Sequence, residues 1–241
     1  MDDALTRLDL AGTHNFREVA PGVLTPGMLY RSDALHRLTR EGRRKLRRLG
    51  IRQVIDLRSA FDRRIGGRDR LRGTGATRVS VPIDGAPRTF DPRTLTLQTV
   101  YETVLSRHQG DLGRIIRTVA STDGPVLVHC TAGKDRTGLV VALILTALDI
   151  DRDIILTDYA ATAANLSGEW TERMLRKMRR FRVPITDNLV EVLAGSPVTA
   201  LSGAFDWLDR EHGGALAYLE KAGVDDGVRD QLRKGLIRVA E

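Results

Sequence analysis

The sequence predicts an α/β fold, in which a four- to five-stranded, mainly parallel sheet is flanked by helices and the C-terminal third is helical. Short apolar runs at 51–57, 77–83 and 126–128 are bounded by turn residues, which is typical of buried strands. Longer helical patterns separate these runs, and strands that alternate with helices favour a parallel sheet. From residue 151 onward the pattern is helical, with interruptions at Gly168, Pro184, 195–197, Gly213 and Gly214.

The elements follow in the order strand, helix, strand, loop, helices, strand, a loop that holds a cysteine, and then helices. Residues 39–49 predict a basic helix, because Thr39 is a favourable N-cap and Gly50 can end the helix. The segment 91–107 predicts a helix that starts beyond Pro92. These local signals agree with the proposed layering of helices on a sheet.

Length and composition limit the class of protein. The chain has 241 residues and no linker-like stretch, so we expect one domain with a sizeable core over residues 1–241. It contains no apolar run of about eighteen residues, the length that indicates a transmembrane helix. Its first residues are acidic and lack the apolar segment of a secretory signal. We therefore expect a cytoplasmic protein, and export without such a signal stays open.

The most informative segment is 129–138, which reads HCTAGKDRTG and holds the only cysteine of the chain. Cys130 and Arg136 have the C-x5-R spacing that lets a short loop wrap around one phosphate. An apolar strand precedes the loop, and the apolar stretch 139–148 predicts a buried helix after it. The loop then lies at a helix N-terminus, where free N–H groups and the helix dipole favour an anion. This arrangement predicts a thiolate-based phosphatase with a cysteine-phosphatase-like fold.

Each residue type in this loop suits that chemistry. A helix N-terminus and a nearby arginine lower the pKa of a cysteine, so Cys130 is the predicted nucleophile. Gly133 permits a tight turn, Arg136 offers a planar fork to two phosphate oxygens, and Thr137 can donate its hydroxyl to the sulfur. His129 is expected to orient the loop by hydrogen bonding. The predicted phosphate-binding residues are Thr131, Ala132, Gly133, Lys134, Asp135 and Arg136.

Other interpretations of this loop fit less well. An ATP-binding loop would need glycine where Val128 stands and serine or threonine where Asp135 stands. A cysteine that is merely buried would not explain the glycine, arginine and threonine at the required offsets. One cysteine can form neither a disulfide within the chain nor a cysteine-rich metal site. We therefore expect no metal and no cofactor.

The segment resembles the loop of a bacterial tyrosine-phosphatase family in which lysine and aspartate lie inside the HCxxGKDRTG motif. The resemblance implies activity on phosphotyrosine, and it leaves phosphoserine, phosphothreonine and phosphoinositides open as further substrates. A phosphoinositide phosphatase with the same mechanism is the main alternative. The similarity covers nearly the whole chain and includes the segments 14–19, 28–32, 49–59, 148–159 and 218–223.

A cysteine phosphatase also needs a general acid that protonates the leaving oxygen. The predicted acid is Asp84, in the sequence VPIDG, which matches the position where the family carries an acidic residue after its proline. A solvated loop carboxylate is the simpler interpretation of Asp84. Asp135 is the alternative acid, because it lies inside the loop. Asp56, at the end of a strand, is expected to brace neighbouring loops.

Two further features bear on the substrate. Lys134 would place a cation beside the phosphate and suit a substrate with a second anionic group, unless Asp135 pairs with it and cancels the effect.

A mycobacterial member of the family has a long insertion between its acid loop and the next helix, associated with a helical lid. That region is short here, so a lid would be reduced or built from residues 160–181 instead.

The net charge of +7 should help to recruit phosphorylated substrates. Basic residues cluster at 37–48 and 173–182, and the second cluster interleaves them with apolar side chains at helical spacing. Such a helix could lie on an anionic membrane or shield the active site. A helix that packs its apolar stripe on the core and leaves a solvated basic face is the simpler interpretation. Charge without a recognisable nucleic-acid-binding motif does not predict nucleic-acid binding.

Overall fold

The computed structural model describes residues 7–85, 95–180, 182 and 185–237. Its strands are β1 Arg17–Glu18, β2 Leu29–Ser32, β3 Gln53–Asp56, β4 Thr77–Ser80 and β5 Val126–His129. They form a five-stranded sheet in the order β1-β2-β5-β3-β4. β1 pairs with β2 in antiparallel fashion, and the other neighbours are parallel. The predicted α/β fold with a mainly parallel sheet is confirmed.

Helices flank the sheet and make up the C-terminal third, as predicted. A 3-10 turn at Leu35–Arg37 precedes the first α-helix. Within the described ranges, no helix is both long and apolar enough to span a membrane. In chain order the helices are α1 Arg40–Arg48, α2 Ala60–Gly66, α3 Leu97–Arg107, α4 Gln109–Ala120, α5 Asp135–Ala147, α6 Arg152–Leu166, α7 Glu169–Arg180, α8 Asp187–Ala194, α9 Val198–His212, α10 Ala215–Lys221 and α11 Asp226–Leu236.

Local capping signals set the helix ends that the sequence predicts. Thr39 caps α1 with its side chain, and Gly50 follows the end of this helix with a φ of +67°. Thr96 caps α3 in the same way. The predicted start of α3, at residues 91 and 92, lies outside the described residues.

Two regular strands, β3 and β4, are shorter than the apolar runs that predict them. β3 and β4 are regular over four residues each. Beyond these ends the backbone still pairs, since the Val81 N–H donates to the Asp56 carbonyl oxygen over 3.1 Å and the Ile83 N–H donates to that of Leu57 over 3.0 Å. Val81 and Ile83 are fully buried. The apolar pattern therefore marks the buried residues, which extend further along the chain than the regular strand does.

The short helix α2 is absent from the sequence-based prediction. It begins with a capping box, in which the Ser59 side chain accepts from the Asp62 N–H and the Asp62 carboxylate accepts from the Ser59 N–H. None of the residues of α2 is buried. Seven residues with only Phe61 and Ile65 at helical spacing form too short an apolar pattern to predict a helix, so the capping box is the clearer signal that could have indicated it.

The carboxyl ends of the parallel strands bring polar residues together at one edge of the sheet. His129, the last residue of the central strand β5, is in register with Ser32 of β2 and Asp56 of β3. The chain then turns into α5, where every side chain from Leu139 to Leu145 is buried. Ligands of such sheets bind outside the carboxyl ends of the strands, so the loop between β5 and α5 lies where a site is expected.

Candidate active site

Residues 130–136, called here the phosphate loop, connect β5 to α5. The loop turns tightly at Gly133, which has a φ of +68°. A Cβ at this position would lie 2.3 Å from the carbonyl oxygen of Ser32, so a side chain does not fit there. The Gly133 N–H donates to the Cys130 sulfur over 3.2 Å. The loop thus directs a backbone donor to the place beside the sulfur where an anion would bind.

Cys130 lies in this loop with only 2% of its surface exposed. Burial alone would raise the pKa of its thiol, but the Arg136 guanidinium and the hydroxyl and N–H of Thr137 outweigh it and lower the pKa below its ordinary value. The Thr137 hydroxyl is buried and has no hydrogen-bond partner within the described residues, so no competing acceptor draws it away from the sulfur. The N-terminus of α5 adds the positive end of a helix dipole. Together these groups favour the thiolate.

Buried polar side chains hold the phosphate loop from behind. The side-chain amide of Asn15 donates to the carbonyl oxygens of Ala132 and Gly133, over 3.0 Å and 3.2 Å. Arg31 also donates to the Gly133 carbonyl oxygen, over 2.9 Å. Fixing these carbonyl groups on the outer side of the loop leaves the N–H groups to face inward.

An ion-pair cluster anchors these two side chains. The Asp158 carboxylate of α6 accepts from Arg31, while Arg17 donates to the Asn15 side chain and to the Asp158 carbonyl oxygen. All four residues are buried. Burial and the charge of Arg31 lower the pKa of Arg17 to about 9, against the opposing effect of Asp158. Three of the segments that carry the family resemblance, 14–19, 28–32 and 148–159, thus build the back of the loop.

His129 orients the start of the loop, in agreement with the sequence. One ring nitrogen lies 3.1 Å from the Cys130 carbonyl oxygen and the other lies 3.1 Å from Asp69. Burial alone would lower the pKa of His129, but Asp69 and Asp56 raise it. The potential ligand atoms of Asp56, Asp69 and His129 lie within 4.8 Å of one another. Arg58 pairs with both carboxylates, so this cluster is an ion-pair network that braces the loops, as expected for Asp56.

A carboxylate that the sequence analysis did not single out positions Arg136. Asp62 accepts from the Arg136 guanidinium over 2.6 Å and from the Thr131 hydroxyl over 3.3 Å. Arg136 also donates to the Ile83 carbonyl oxygen over 3.2 Å. Burial alone would raise the pKa of Asp62, but Arg136 lowers it below its ordinary value. The signal that could have found Asp62 is its spacing from Ser59 in the capping box.

The side chain of Lys134 leaves the phosphate loop and reaches α8. Its ammonium group is fully buried, donates to the carbonyl oxygens of Val192 and Gly195 over 2.9 Å and 2.7 Å, and lies 3.0 Å from Asp135. Asp135 also accepts from the Tyr101 hydroxyl over 2.9 Å. Of the two interpretations of Lys134, the structure shows the one in which Asp135 pairs with it. The loop lysine therefore ties the loop to α8.

Asp84, the predicted acid, is exposed at the edge of the site. The next residue, Gly85, lies against Arg136, because a Cβ on Gly85 would be 3.8 Å from the Arg136 Cδ. The carboxylates that line the cavity above the sulfur are those of Asp62 and Asp135. Asp84 therefore precedes a residue that lies against Arg136 but does not itself line this cavity, and residues 86–94, after Gly85, are outside the described part of the chain.

The helices α7 and α8 cover a cavity of about 210 Å³ above Cys130. Trp170 of α7 is almost fully buried and packs with Ala132 of the phosphate loop. The sequence predicts that any lid is reduced or is built from residues 160–181, which include α7, but it does not predict the contribution of α8. The apolar residues that these helices place in the cavity wall are Trp170, Met174, Met178, Leu189, Val192 and Leu193.

Comparisons with known proteins agree on one family. Residues 8–238 match the Tyrosine phosphatase family. The chain is 31% identical over 272 aligned residues to the triple specificity protein phosphatase PtpB of Mycobacterium tuberculosis, and the alignment covers 95% of this chain and 98% of that protein. It is 32% identical over 146 residues to a tyrosine-protein phosphatase of Nostoc commune, with 58% of this chain and 49% of the relative covered.

Among solved structures, TpbA of P. aeruginosa overlaps this chain with a TM-score of 0.39 at 20% identity, covering 76% of this chain and 96% of TpbA. An overlap of this size is loose. The family match and the full-length mycobacterial relative confirm the resemblance that the loop sequence predicts. The chain therefore belongs to the tyrosine phosphatase family.

Proposed function

We propose that this chain hydrolyses phosphotyrosine in proteins through a phosphocysteine intermediate on Cys130. The observation that carries the proposal is a thiol with a lowered pKa, held at the start of α5 beside Arg136 and facing the N–H of Gly133. A thiolate in such a place is both a nucleophile and the neighbour of an anion-binding site. Membership of the tyrosine phosphatase family and the protein phosphatases among the relatives support this reaction class.

The reaction has two steps. In the first step the Cys130 thiolate attacks phosphorus, and the bond from phosphorus to the leaving oxygen breaks as the sulfur–phosphorus bond forms. In the second step water attacks phosphorus, inorganic phosphate is released, and Cys130 leaves as a thiolate that the Thr137 hydroxyl stabilises. Arg136 and the loop N–H groups bind the equatorial oxygens in both steps, where most of the electrostatic stabilisation is expected.

Asp84 is the general acid in this proposal and also accepts the proton of the attacking water. A general acid must be protonated when the substrate binds. Asp62 is held ionised by Arg136, which lowers its pKa, and Asp135 is paired with Lys134. Asp84 has neither partner, and its segment follows the carbonyl group that accepts from Arg136. Asp84 does not line the cavity, but it is the nearby carboxylate that neither Arg136 nor Lys134 binds, and we therefore assign it the proton transfer to the leaving group.

Phosphate release by the wild type and by Cys130→Ser tests the thiolate mechanism. We expect activity on a phosphotyrosine peptide that survives EDTA and vanishes in Cys130→Ser, because a serine hydroxyl is not ionised in this site. Binding of inorganic phosphate to the variant is the control for an intact loop. Turnover of phosphoserine and phosphothreonine peptides and of soluble phosphoinositides then sets the substrate class, and a preference for phosphoinositides would favour the alternative. Phosphate binding without turnover of any substrate would contradict the proposal.

The general acid can be identified from how strongly each variant's rate depends on the leaving group of the substrate. Asp84→Asn should lower kcat/KM, which reports only the first step, by about 10²- to 10⁴-fold on phosphotyrosine and far less on p-nitrophenyl phosphate, whose leaving group needs no proton. Asp62→Asn should slow both substrates alike, because it acts by positioning Arg136. If Asp135→Asn shows the dependence on leaving group and Asp84→Asn does not, the two roles must be exchanged.

We also predict, from the sequence, that the basic face of α7 can contact an anionic membrane. The helix α7 turns Trp170, Met174 and Met178 to the cavity and leaves Arg176, Arg179 and Arg180 exposed, while Phe181 lies outside the described residues. Cosedimentation with vesicles of phosphatidylcholine, with and without phosphatidylserine, tests it. We expect binding only with phosphatidylserine and a loss of binding as salt rises. Equal sedimentation with both kinds of vesicle would contradict the prediction.

A further inference from the structure

A second cavity, called here the lateral groove, lies between α2 and α7 and has a volume of about 600 Å³. Its walls are Phe61 and Ile65 of α2 and Met174, Lys177 and Met178 of α7. The wall is strongly apolar, although the protein as a whole carries a high proportion of charged residues. The groove is large enough to hold a bulky side chain together with the backbone that bears it.

The lateral groove is continuous with the cavity above the catalytic sulfur. Asp62, Thr131, Met174 and Met178 line both cavities. Thr131 directly follows Cys130 in the chain, so the groove opens beside the phosphate loop itself. Consecutive Cα atoms of a peptide are about 3.8 Å apart, and residues a few positions from a bound phosphotyrosine are therefore within reach of the groove.

The apolar wall supplied by α2 serves no core. Phe61 is 70% exposed and Ile65 is 40% exposed, and no residue of this helix is buried. The two side chains are four positions apart, so they lie on the same face of the helix. Neighbouring large apolar side chains left in water are typical of a surface that binds a ligand. The capping box holds α2 in place without any contribution from these two residues.

The opposite wall is suited to varied apolar ligands. Met174 and Met178 are flexible and polarisable, and such side chains adapt to ligands of different shape. Lys177 also lines the groove, and a lysine can contribute the apolar stem of its side chain to such a wall as well as its positive charge. Burial and the charge of Arg173 lower the pKa of Lys177. Lys177 would repel a basic residue of a ligand, and Asp62 is already paired with Arg136, whereas an apolar residue would be bound without such repulsion.

We infer that the lateral groove binds an apolar side chain close to the phosphotyrosine in the substrate peptide and so selects among phosphorylated proteins. This inference rests on the proposed phosphotyrosine phosphatase function. A peptide is favoured over a lipid because the groove opens at the phosphate loop, within a few residues' reach of the reacting phosphate. The acyl chains of a phosphoinositide instead remain in the bilayer when the headgroup enters a site.

The test is a set of phosphotyrosine peptides in which a single leucine is moved through the three positions on either side of the phosphotyrosine in a glycine-rich sequence. For the wild type we expect one position at which leucine raises kcat/KM by about tenfold over glycine, and at which arginine lowers it. In the double variant Phe61→Ala/Ile65→Ala the ratio of leucine to glycine should fall to about one. Thermal unfolding of the variant checks that it is folded.

The matched control is Val198→Ala/Leu216→Ala, which removes similarly exposed apolar side chains from α9 and α10. This control should keep the wild-type ratio. If the wild type hydrolyses all peptides with equal kcat/KM, the inference about the lateral groove is wrong, but the proposed phosphatase function is unaffected. A wild type that hydrolyses no phosphotyrosine would overturn both. If the groove variant keeps its peptide ratio but loses binding to phosphatidylserine vesicles, the groove binds lipid and the inference is wrong.

Discussion

The phosphate loop has two unlike sides. Its back is held by the buried polar cluster of Asn15, Arg17, Arg31 and Asp158, which donates to the outward-facing carbonyl groups of the loop. Its front is covered by α7 and α8, whose contribution to the cavity wall is almost entirely apolar. The comparison shows that the back builds the geometry which holds a phosphate, whereas the front governs what reaches it.

The two sides should also differ in how much stability a single substitution removes. A buried ion pair that loses one partner leaves an uncompensated charge in the interior. Apolar contacts through methionine side chains can rearrange at lower cost. The front is joined to the loop by the packing of Trp170 on Ala132 and by the buried ammonium group of Lys134. We therefore expect a substitution in the buried polar cluster to lower the stability of the whole site, and a substitution at the front to increase the local opening of the covering helices.

The largest effect is expected from Asp158→Asn at the back of the loop. The change keeps the shape of the side chain but removes the charge that compensates Arg17 and Arg31, all of which are buried. The free energy of unfolding should fall by about 3–5 kcal/mol. Urea denaturation measures this change, and phosphate binding should weaken together with stability.

The control for this experiment is Asp206→Asn, the same substitution at an exposed position of α9. It should change the free energy of unfolding by less than about 0.5 kcal/mol. If both variants had the same stability, the buried cluster would not hold the loop, and the contrast between its two sides would disappear.

An intermediate effect is expected from Lys134→Met at the front. Methionine keeps the length of the side chain but leaves the carbonyl oxygens of Val192 and Gly195 without their donor. An unmet buried acceptor costs about 1–3 kcal/mol, and the loss should fall on α8 rather than on the whole fold. Amide hydrogen exchange of α8 should therefore accelerate by about tenfold or more, while that of β5 changes little.

Lys221→Met, at the exposed end of α10, is the matched control and should leave the exchange of α8 unchanged. The experiment also separates the two interpretations of Lys134 that the sequence allows. If exchange of α8 stays at the wild-type rate and phosphate affinity falls, Lys134 acts on the bound phosphate and not on the covering helix.

The sequence predicts the sheet and the phosphate loop because both depend on residues close together in the chain. The Cys130 to Arg136 spacing, Gly133 and the apolar helix after the loop form a single local pattern. The direction of the Lys134 side chain is different, because it is set by α8, about sixty residues further along. A local pattern cannot contain that information.

The buried cluster behind the loop was equally hidden. Arginine is mostly exposed in proteins, so the residues alone do not indicate that Arg17 and Arg31 are buried and paired with Asp158, which is more than a hundred residues away. The resemblance to a family marks their segments as shared but does not give their role. Asp62 escapes prediction for a related reason, since its helix makes no core contact and its partner Arg136 lies far along the chain.

The smallest effect is expected from Thr137→Val, at the junction of the two sides. Valine has nearly the shape of threonine but lacks the hydroxyl that helps to lower the pKa of Cys130. Without this donor the thiolate is less stable, so the pKa of Cys130 must rise. One hydrogen bond of this kind corresponds to about one pH unit. Because the chain has a single cysteine, the pH dependence of alkylation by iodoacetamide reports on Cys130 alone.

The wild type should be alkylated at pH values below those at which an ordinary thiol reacts, and the midpoint should move up by about one pH unit in Thr137→Val. Thr146→Val removes a hydroxyl from the same helix, where it donates to the Ala142 carbonyl oxygen, and should leave the midpoint unchanged. An unchanged midpoint in Thr137→Val would mean that Arg136 and the N-terminus of α5 suffice to stabilise the thiolate. The reactivity of the sulfur would then depend only on charge and on the loop geometry that the back maintains.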